Sequence, residues 1–174
     1  MAFDTYMYID QPGGGTKIEG ESTAKGLDPA TGWFELMSFS WGASNPVTVG
    51  PSSGGISGGM VSISSFNVMK KSDKSSPLLL LASCNNEHFG SVKVVCRKGT
   101  GGSGGQQAFL KYTFTDCMVE SIQWSGSGGG DDTPTESLSL AFAQCQIETF
   151  LQNTQTGQMT AGPQMSWDQT QVAS

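Results

Sequence analysis

Apolar and polar residues alternate along most of this chain, and short bursts of glycine, serine and proline interrupt the alternation. A period of two is typical of a strand with one face in the core, and the interruptions are typical of turns. The pattern predicts eight strands, at residues 2–10, 17–22, 33–42, 60–69, 91–98, 106–124, 136–152 and 164–169. No alternation of strands with helices is found, so a parallel α/β sheet is excluded.

The strand at 33–42, WFELMSFSWG, has an unusual second face. One side carries large residues and is predicted to fill the core: Trp33, Glu35, Met37, Phe39 and Trp41. The other side begins with Phe34 and Leu36 and ends with Ser38 and Ser40. Outer strand faces usually carry charge, and buried hydroxyls need partners. The two serines therefore predict a wet face without charge.

One short helix is predicted in KSSPLLLLASCNNE. Ser76 suits the N-cap, Pro77 suits the first helical position, and Asn85 and Asn86 suit the end. Leu78, Leu79, Leu80 and Leu81 surround about one turn of this helix, because a turn takes about 3.6 residues. A surface helix needs only one apolar stripe. We therefore expect the leucines to contact both their own sheet and a second surface.

The two longest strands carry the main core residues. In 106–124 these are Leu110, Tyr112, Phe114, Met118, Ile122 and Trp124. In 136–152 the apolar phase shifts, which predicts either a bulge near Ala143 and Gln144 or a strand that passes between two sheets. Residues 45–59 are predicted to be a long Gly/Ser/Pro loop. Together these features predict an all-β fold, a two-sheet barrel or a sandwich, with a single helix.

The composition excludes several classes of function but adds little to the prediction of the fold. The chain has 174 residues, which fits one domain, a formal net charge of −6, and 14% charged residues. With no basic cluster beyond Lys70 and Lys71, nucleic acid is not an expected partner. No apolar run approaches the roughly 20 residues of a membrane span. The start, MAFDTYMYID, lacks the basic residues of a signal peptide, so we expect synthesis in the cytoplasm and export by a route that reads the folded protein.

Candidate chemistry is sparse. The four cysteines (Cys84, Cys96, Cys117 and Cys145) lack zinc-site spacing and are expected to be buried thiols. The one histidine, His88, lies four residues after Cys84, but no orienting group accompanies this pair. The match to G-x-G-x-x-G at 99–104 joins two strands and opens no helix. We therefore expect no enzyme, no cofactor and no metal site.

Four segments in order resemble the Hcp family, the haemolysin-coregulated tube proteins of bacterial type VI secretion. These are KIEGEST, ELMSFSWGAS, KSSPLLLLASCNNEHFGSVKVVCRK and TESLSLAFAQCQIETF, which together span nearly the whole chain. The loops QPGGGTK and GLDPATG are longer than the family pattern, and the histidine often found after G-E-S is missing. The resemblance implies a single tube domain over residues 1–174, a two-sheet barrel with one helix, and homohexameric rings that stack into the inner tube of a contractile machine.

The resemblance also implies roles for particular residues. Ser38 and Ser40 would face the lumen, and the helix Leu78–Leu81 would contact a neighbouring subunit. The loop at 49–59 would join rings, with Val49, Pro51, Ser52, Ser53 and Ile56 as contacts. Implied partners are further copies of the chain, a spike protein, the contractile sheath and effector proteins in the lumen, without nucleic acid or membrane insertion. The alternative hypothesis is a monomeric β-sandwich binding module, lectin-like or adhesin-like.

Overall fold

The structure, a computed structural model, describes residues 3–11, 17–29, 31–50, 54–99, 105–129, 132–153 and 155–171. It contains twelve strands and one helix within these ranges. The elements in chain order are β1 (Asp4–Asp10), β2 (Phe34–Leu36), β3 (Ser38–Ser40), β4 (Ala43–Ser44), β5 (Val47–Gly50), β6 (Gly55–Gly58), β7 (Ser62–Ile63), β8 (Phe66–Lys71), α1 (Ser76–Cys84), β9 (His88–Gly99), β10 (Gln106–Ser125), β11 (Thr135–Gln152) and β12 (Met159–Asp168).

Eight strands form one antiparallel sheet in the order β2-β1-β9-β10-β11-β8-β3, with β12 paired to β11. β2 and β3 lie at the two ends of this order yet follow each other in sequence. The chain therefore passes from one end of the sheet to the other and nearly closes it into a barrel. The prediction of a β-rich, barrel-like fold with one short helix is confirmed.

The step between β2 and β3 breaks the predicted alternation of the 33–42 strand. β2 pairs with β1, β3 pairs with β8, and the Met37 N–H donates to Met69 O at 2.8 Å between them. Phe34 and Leu36 fill the core on the β2 side, and Phe39 and Trp41 pack against it on the β3 side. The prediction that Met37 and Glu35 are core residues is therefore wrong, since both are exposed.

The main core lies inside the barrel and is rich in aromatic rings. Phe66 and Phe114 lie 4.7 Å apart between ring centroids, Phe114 and Phe142 lie 4.5 Å apart, and Trp41 packs edge-on to Phe114 at 5.2 Å. Such arrangements add about 0.5–1.5 kcal/mol per pair beyond the burial of their area. The rings belong to β8, β10 and β11 and to the residue after β3, so they pack the β3 end of the sheet against its middle strands.

A second, smaller core lies on the outer face of β1 and β9. Its buried residues are Tyr6, Tyr8, Leu27, Trp33 and Val95. Residues 17–29 and 31–33 cover it without forming the strand predicted at 17–22. At Gly20, in the KIEGEST segment, an added Cβ would lie 2.3 Å from Trp33 O, so only glycine permits this close approach of two backbone segments.

Residues 43–50 and 54–63 form an arm, where a loop was predicted. β3 pairs with β8, β4 pairs with β7 and β5 pairs with β6, so the three pairs are nested in chain order. These strands form one long hairpin that projects from the barrel. Ser64 and Gly59 extend its ladder by donating to Gly42 O and Pro46 O. Of the predicted loop contacts, Val49 and Ile56 lie on the arm, while Pro51, Ser52 and Ser53 lie outside the described residues.

On both β10 and β11, the inward-pointing side chains switch from one alternate set of residues to the other part-way along the strand. Asp116 has φ of 52°, and the next inward residues on β10 are Cys117 and Val119. The predicted core position of Met118 is therefore wrong, and Ile122 returns to the core side after a register shift between Val119 and Ser121. On β11, Phe142 and Cys145 are both buried, which confirms the phase change predicted near Ala143 and Gln144. The register of β11 with β10 is constant from Leu140 to Thr149, so this change is not caused by a bulge between these two strands.

Candidate assembly surfaces

A polar, uncharged face covers the outer side of four neighbouring strands. Cross-strand partners form two rows across β3, β8, β11 and β10, and side chains paired across an antiparallel sheet share one face. We call this the serine face, and its residues are Ser40, Asn67, Ser139 and Ser121 in one row and Ser38, Met69, Ser137 and Gln123 in the other. The neighbouring row is Lys71, Thr135 and Ser125, and the exposed Glu120 lies next to Ser121 at the register shift of β10, so charges border the two rows.

The serine face is exposed to solvent because the opposite side of the same four strands packs against the main core. Phe39, Val68, Leu138 and Ile122 form one cross-strand row on the inner side, and all four belong to or pack against the main core. Because side chains alternate, the residues between them must point outwards. The Ser139 hydroxyl donates to Asn67 Oδ1 at 2.5 Å. Ser38 and Ser40 are exposed here, in the outward orientation predicted for them.

The four leucines of α1 fall into two classes. Leu79 is fully buried in the main core and Leu78 packs against it. Leu80 and Leu81 are exposed by 41% and 51%. The predicted subunit contact therefore cannot include Leu79, because its own chain covers it, and the candidate helix surface is Leu80 and Leu81. The helix begins at Ser76 with Ser75 as N-cap and has Asn85 as its C-cap, one residue earlier than predicted at its start.

The arm exposes an apolar pair near its far end. Val49 and Ile56 are cross-strand partners on β5 and β6, and their side chains are 72% and 78% exposed. A directly opposed pair of this kind helps to hold two strands together. The pair is also free to contact another surface, since the arm extends away from the barrel.

A buried ionic cluster connects the barrel to the start of α1. The Lys70 ammonium lies 2.5 Å from Glu136 Oε1 and 2.9 Å from Asp73 Oδ1, and donates to Lys71 O at 3.2 Å. Lys70 and Glu136 are 1% and 0% exposed. Glu136 Oε2 accepts from Trp124 Nε1 at 3.0 Å, and Asp73 Oδ1 accepts from the backbone N–H of Ser75. The cluster thus fixes the first turn of α1 to three strands.

The buried ionic cluster is not among the residues predicted from the sequence, although the sequence contains a signal for it. Lys70 continues the inward phase of Phe66 and Val68 on β8, and Glu136 precedes Leu138 and Leu140 in the inward phase of β11. A lysine and a glutamate in core phase on two strands predict a buried pair, because neither charge is stable in a core alone.

The cysteines offer little reactive chemistry. Burial raises the pKa of Cys117 to about 12, and burial also raises the pKa values of Cys96 and Cys145. These three thiols stay protonated at neutral pH and are poor nucleophiles. Cys84 is exposed at the end of α1, so the prediction that all four cysteines are buried is wrong for this one.

Within the described ranges, no group of three or more His, Cys, Asp or Glu side chains is placed to hold a metal ion. None of the helical structure in those ranges is long and apolar enough to cross a bilayer.

These surfaces define a class of protein before any comparison is made. A nearly closed barrel displays an uncharged polar face, an exposed apolar helix surface and a projecting arm. Exposed apolar surfaces of this kind typically mark contacts with other proteins. The class is that of a β-barrel protein that makes its contacts through several separate surfaces.

Comparison with known proteins agrees with this class. Residues 6–148 match the family described as "Type VI secretion system effector, Hcp". Protein hcp1 of Pseudomonas aeruginosa is 34% identical over 88 residues, and the match spans about half of each chain, 51% of this one and 52% of that one.

Solved structures match over nearly the whole chain. A structure described as that of a type six secretion system protein has a TM-score of 0.79 and 32% identity, and covers 96% of each chain. Hcp1 from Salmonella typhimurium has a TM-score of 0.69 and 26% identity, and covers 98% of this chain and 97% of that one. The chain belongs to the Hcp family of type VI secretion system effectors, and the hypothesis of a monomeric binding module finds no support.

Proposed function

We propose that this chain is a structural subunit of the inner tube of a type VI secretion system. Its single domain forms homohexameric rings, and the rings stack into a tube with a water-filled lumen. The role is structural and not catalytic. The observation that carries this proposal is the serine face, because a closed barrel in this family displays a wide surface that is neither apolar nor charged.

The serine face suits the wall of a channel through which folded proteins pass. Its hydroxyls and amides are hydrated, so the wall exposes little apolar area to a passing protein. It also carries no charge that would hold one sign of cargo strongly. In this arrangement Ser38 and Ser40 face the lumen, where effector proteins would travel.

The remaining surfaces are assigned to contacts outside the lumen. The helix surface, Leu80 and Leu81, joins neighbouring subunits, and the arm joins one ring to the next. A spike protein would cap the tube and a contractile sheath would surround it. Before firing, the protein would reside in the cytoplasm, and it would be secreted through the type VI machine.

Electron microscopy of the purified chain tests this function. Rings with a central channel are expected, alone or stacked, and mass photometry should give the mass of a homohexamer. A monomer at micromolar concentration, with native β-structure by circular dichroism, would contradict the proposal.

Replacing Leu81 by Asp is expected to give a folded monomer. Leu81 is half exposed in the single chain, so a carboxylate there stays hydrated in the monomer but is buried without a partner in a ring. Size-exclusion chromatography with light scattering measures the change. The matched control is Leu79→Asp, which should unfold the chain because Leu79 is in its own core. Intact rings of Leu81→Asp would remove the helix from the interface.

Replacing Val49 and Ile56 together by serine is expected to leave rings intact and to impair their stacking into tubes. The two side chains are the most exposed apolar pair of the arm. Serine at both positions removes the apolar area that a neighbouring ring could bury, and so weakens the contact between rings. The matched control is Thr48→Ala with Ser57→Ala, a cross-strand pair on the other face of the arm. Tube length in micrographs is the measurement, and unchanged tubes would make the arm a passive extension.

A further inference from the structure

A depression of about 630 Å³ lies on the outer face of β9, β10 and β11, beside the second core. Its lining includes three of the nine Lys and Arg residues of the chain, namely Lys93, Arg97 and Lys111. The first two lie on β9 on either side of Val95, and Lys111 is the cross-strand partner of Val95 on β10. Because cross-strand partners share one face of a sheet, the three cations surround Val95 on the outer face. We call this site the basic depression.

Arg97 is the fixed part of the basic depression. The side chain is only 7% exposed. Its Nη1 donates to Lys25 O at 2.8 Å, and its Nη2 donates to Gln106 O at 2.6 Å. Both acceptors are backbone carbonyls, so they orient the guanidinium without neutralising its charge. A guanidinium has five N–H donors, so these two bonds leave further donors for an anion.

None of the three cations has a carboxylate partner within the described part of the chain. The ion pairs there are formed by Lys17 and Lys70 only. Asp4 is the cross-strand partner of Arg97, but its carboxylate accepts from the side chain of Gln106.

Lys111 likewise turns away from an available carboxylate. Glu148 is its cross-strand partner on β11, yet the Lys111 ammonium lies 4.9 Å from the centroid of the Phe150 ring. Arginine and lysine are rarely buried without a counter-charge. The basic depression therefore holds three unpaired cations in a chain whose formal net charge is −6.

The rest of the lining narrows the class of ligand. Asp28 and Glu148 also line the depression, so a polyanion such as nucleic acid would meet two carboxylates as well as the negative charge of the whole chain. Leu27, Phe150 and Met159 add apolar surface. Ligand sites typically have volumes of about 300–1,000 Å³, a range that includes this depression. A single carboxylate beside an apolar group matches this combination of charge, surface and size.

We propose that the basic depression docks an Asp or Glu side chain that a partner protein presents next to an apolar residue. The carboxylate accepts charge-assisted hydrogen bonds from Arg97 and Lys111, and the apolar neighbour packs on Phe150 and Met159. This site is separate from the proposed tube contacts. It lies near the start of β10, whereas the serine face lies near the end of that strand, and it includes neither the helix surface nor the arm.

The experiment compares two blocked peptides, acetyl-Leu-Glu-Leu-amide and its neutral counterpart acetyl-Leu-Gln-Leu-amide. Saturation-transfer NMR on the leucine methyl groups gives the dissociation constant of each peptide. The Glu peptide should bind at least about tenfold more tightly, as one charge-assisted hydrogen bond allows. The difference should shrink in about 1 M salt, where the Debye length is about 3 Å. Equal binding of the two peptides to the wild type would overturn the proposal.

Two variants place the binding in the basic depression. Lys111→Gln should remove most of the preference for the Glu peptide, and Lys93→Gln should weaken it. The matched control is Lys98→Gln, because the Lys98 ammonium lies over Phe109, outside the lining of the depression. An unchanged preference in both folded variants would overturn the proposal.

Two further outcomes distinguish other occupants. Displacement of the Glu peptide by inorganic phosphate at the same concentration would indicate a general anion site and overturn the assignment to a protein carboxylate. Size-exclusion chromatography with light scattering should give folded Lys111→Gln the same oligomeric state as the wild type. A different state would indicate a contact between copies of this chain and would also overturn the proposal.

Discussion

Replacing Lys70 by methionine is expected to destabilise the chain by about 3–5 kcal/mol, the usual cost of removing one partner from a buried ion pair. The loss is large because two carboxylates then remain in the interior without a cation. Among the described residues, the ion pair to Lys70 is the only polar contact of Glu136 Oε1. Asp73 would keep its bonds to Ser75 but lose its link to the sheet.

Urea unfolding monitored by tryptophan fluorescence measures this effect, and Trp124 is a reporter at the site because it donates to Glu136. The matched control is Lys17→Met, which breaks the pair between Lys17 and Glu19 at 2.6 Å, with side chains 57% and 35% exposed. Exposed pairs contribute about 0–1 kcal/mol. Equal effects of the two substitutions would show that the buried cluster contributes no more than a surface pair.

A double variant distinguishes the net contribution of the Lys70–Glu136 ion pair from the cost of leaving the Glu136 carboxylate buried without its cation. In Lys70→Met with Glu136→Leu the fully buried carboxylate opposite methionine is removed and only the partly exposed Asp73 carboxylate is left without its cation, so part of the lost stability should return. Asp73 keeps its place beside Ser75 in this variant. A double variant less stable than Lys70→Met alone would mean that Glu136 contributes to stability through Trp124 and not through Lys70.

Phe39→Asp is expected to abolish folding, whereas Ser40→Asp should change the free energy of unfolding by only about 0.5 kcal/mol, as surface substitutions do. Phe39 packs against Phe66 and Tyr112, each at 5.7 Å between ring centroids. Removing such a ring costs about 3–5 kcal/mol, and a carboxylate in its place adds the cost of burying a charge. Ser40 points to the opposite, exposed side.

Thermal unfolding of the two variants measures this contrast, and ring assembly provides the functional arm. Ser40→Gln and Ser40→Asp should form rings but retain or export less effector, because a larger or charged group then projects from the proposed lumen wall. Ser137→Asp, at a different position of the serine face, is the matched comparison. An unfolded Ser40→Asp beside a stable Phe39→Asp would reverse the assignment of the two faces.

Local pattern determined most of the strands, the helix and the polar character of Ser38 and Ser40. Alternation depends only on which side of a strand meets the core, so a single strand shows it without knowledge of its neighbours. The same logic placed Tyr112 and Phe114 on the core side, and found the phase change between Phe142 and Cys145. Capping chemistry is equally local, so the helix was predicted to within a residue.

What the tertiary structure alone decided depends on residues that meet across the sheet. Met37 is exposed because it lies between β2, which pairs with β1, and β3, which pairs with β8. A change of partner strand cannot be recognised from the alternation of residues within one segment. The residues around Val49 and Ile56 become an arm because two glycine-rich segments pair with each other. Only the packing of α1 separates buried Leu79 from exposed Leu81. Lys70 and Glu136 are stable inside the barrel because pairing of β8 with β11 sets an ammonium beside a carboxylate, a register that the sequence alone does not determine.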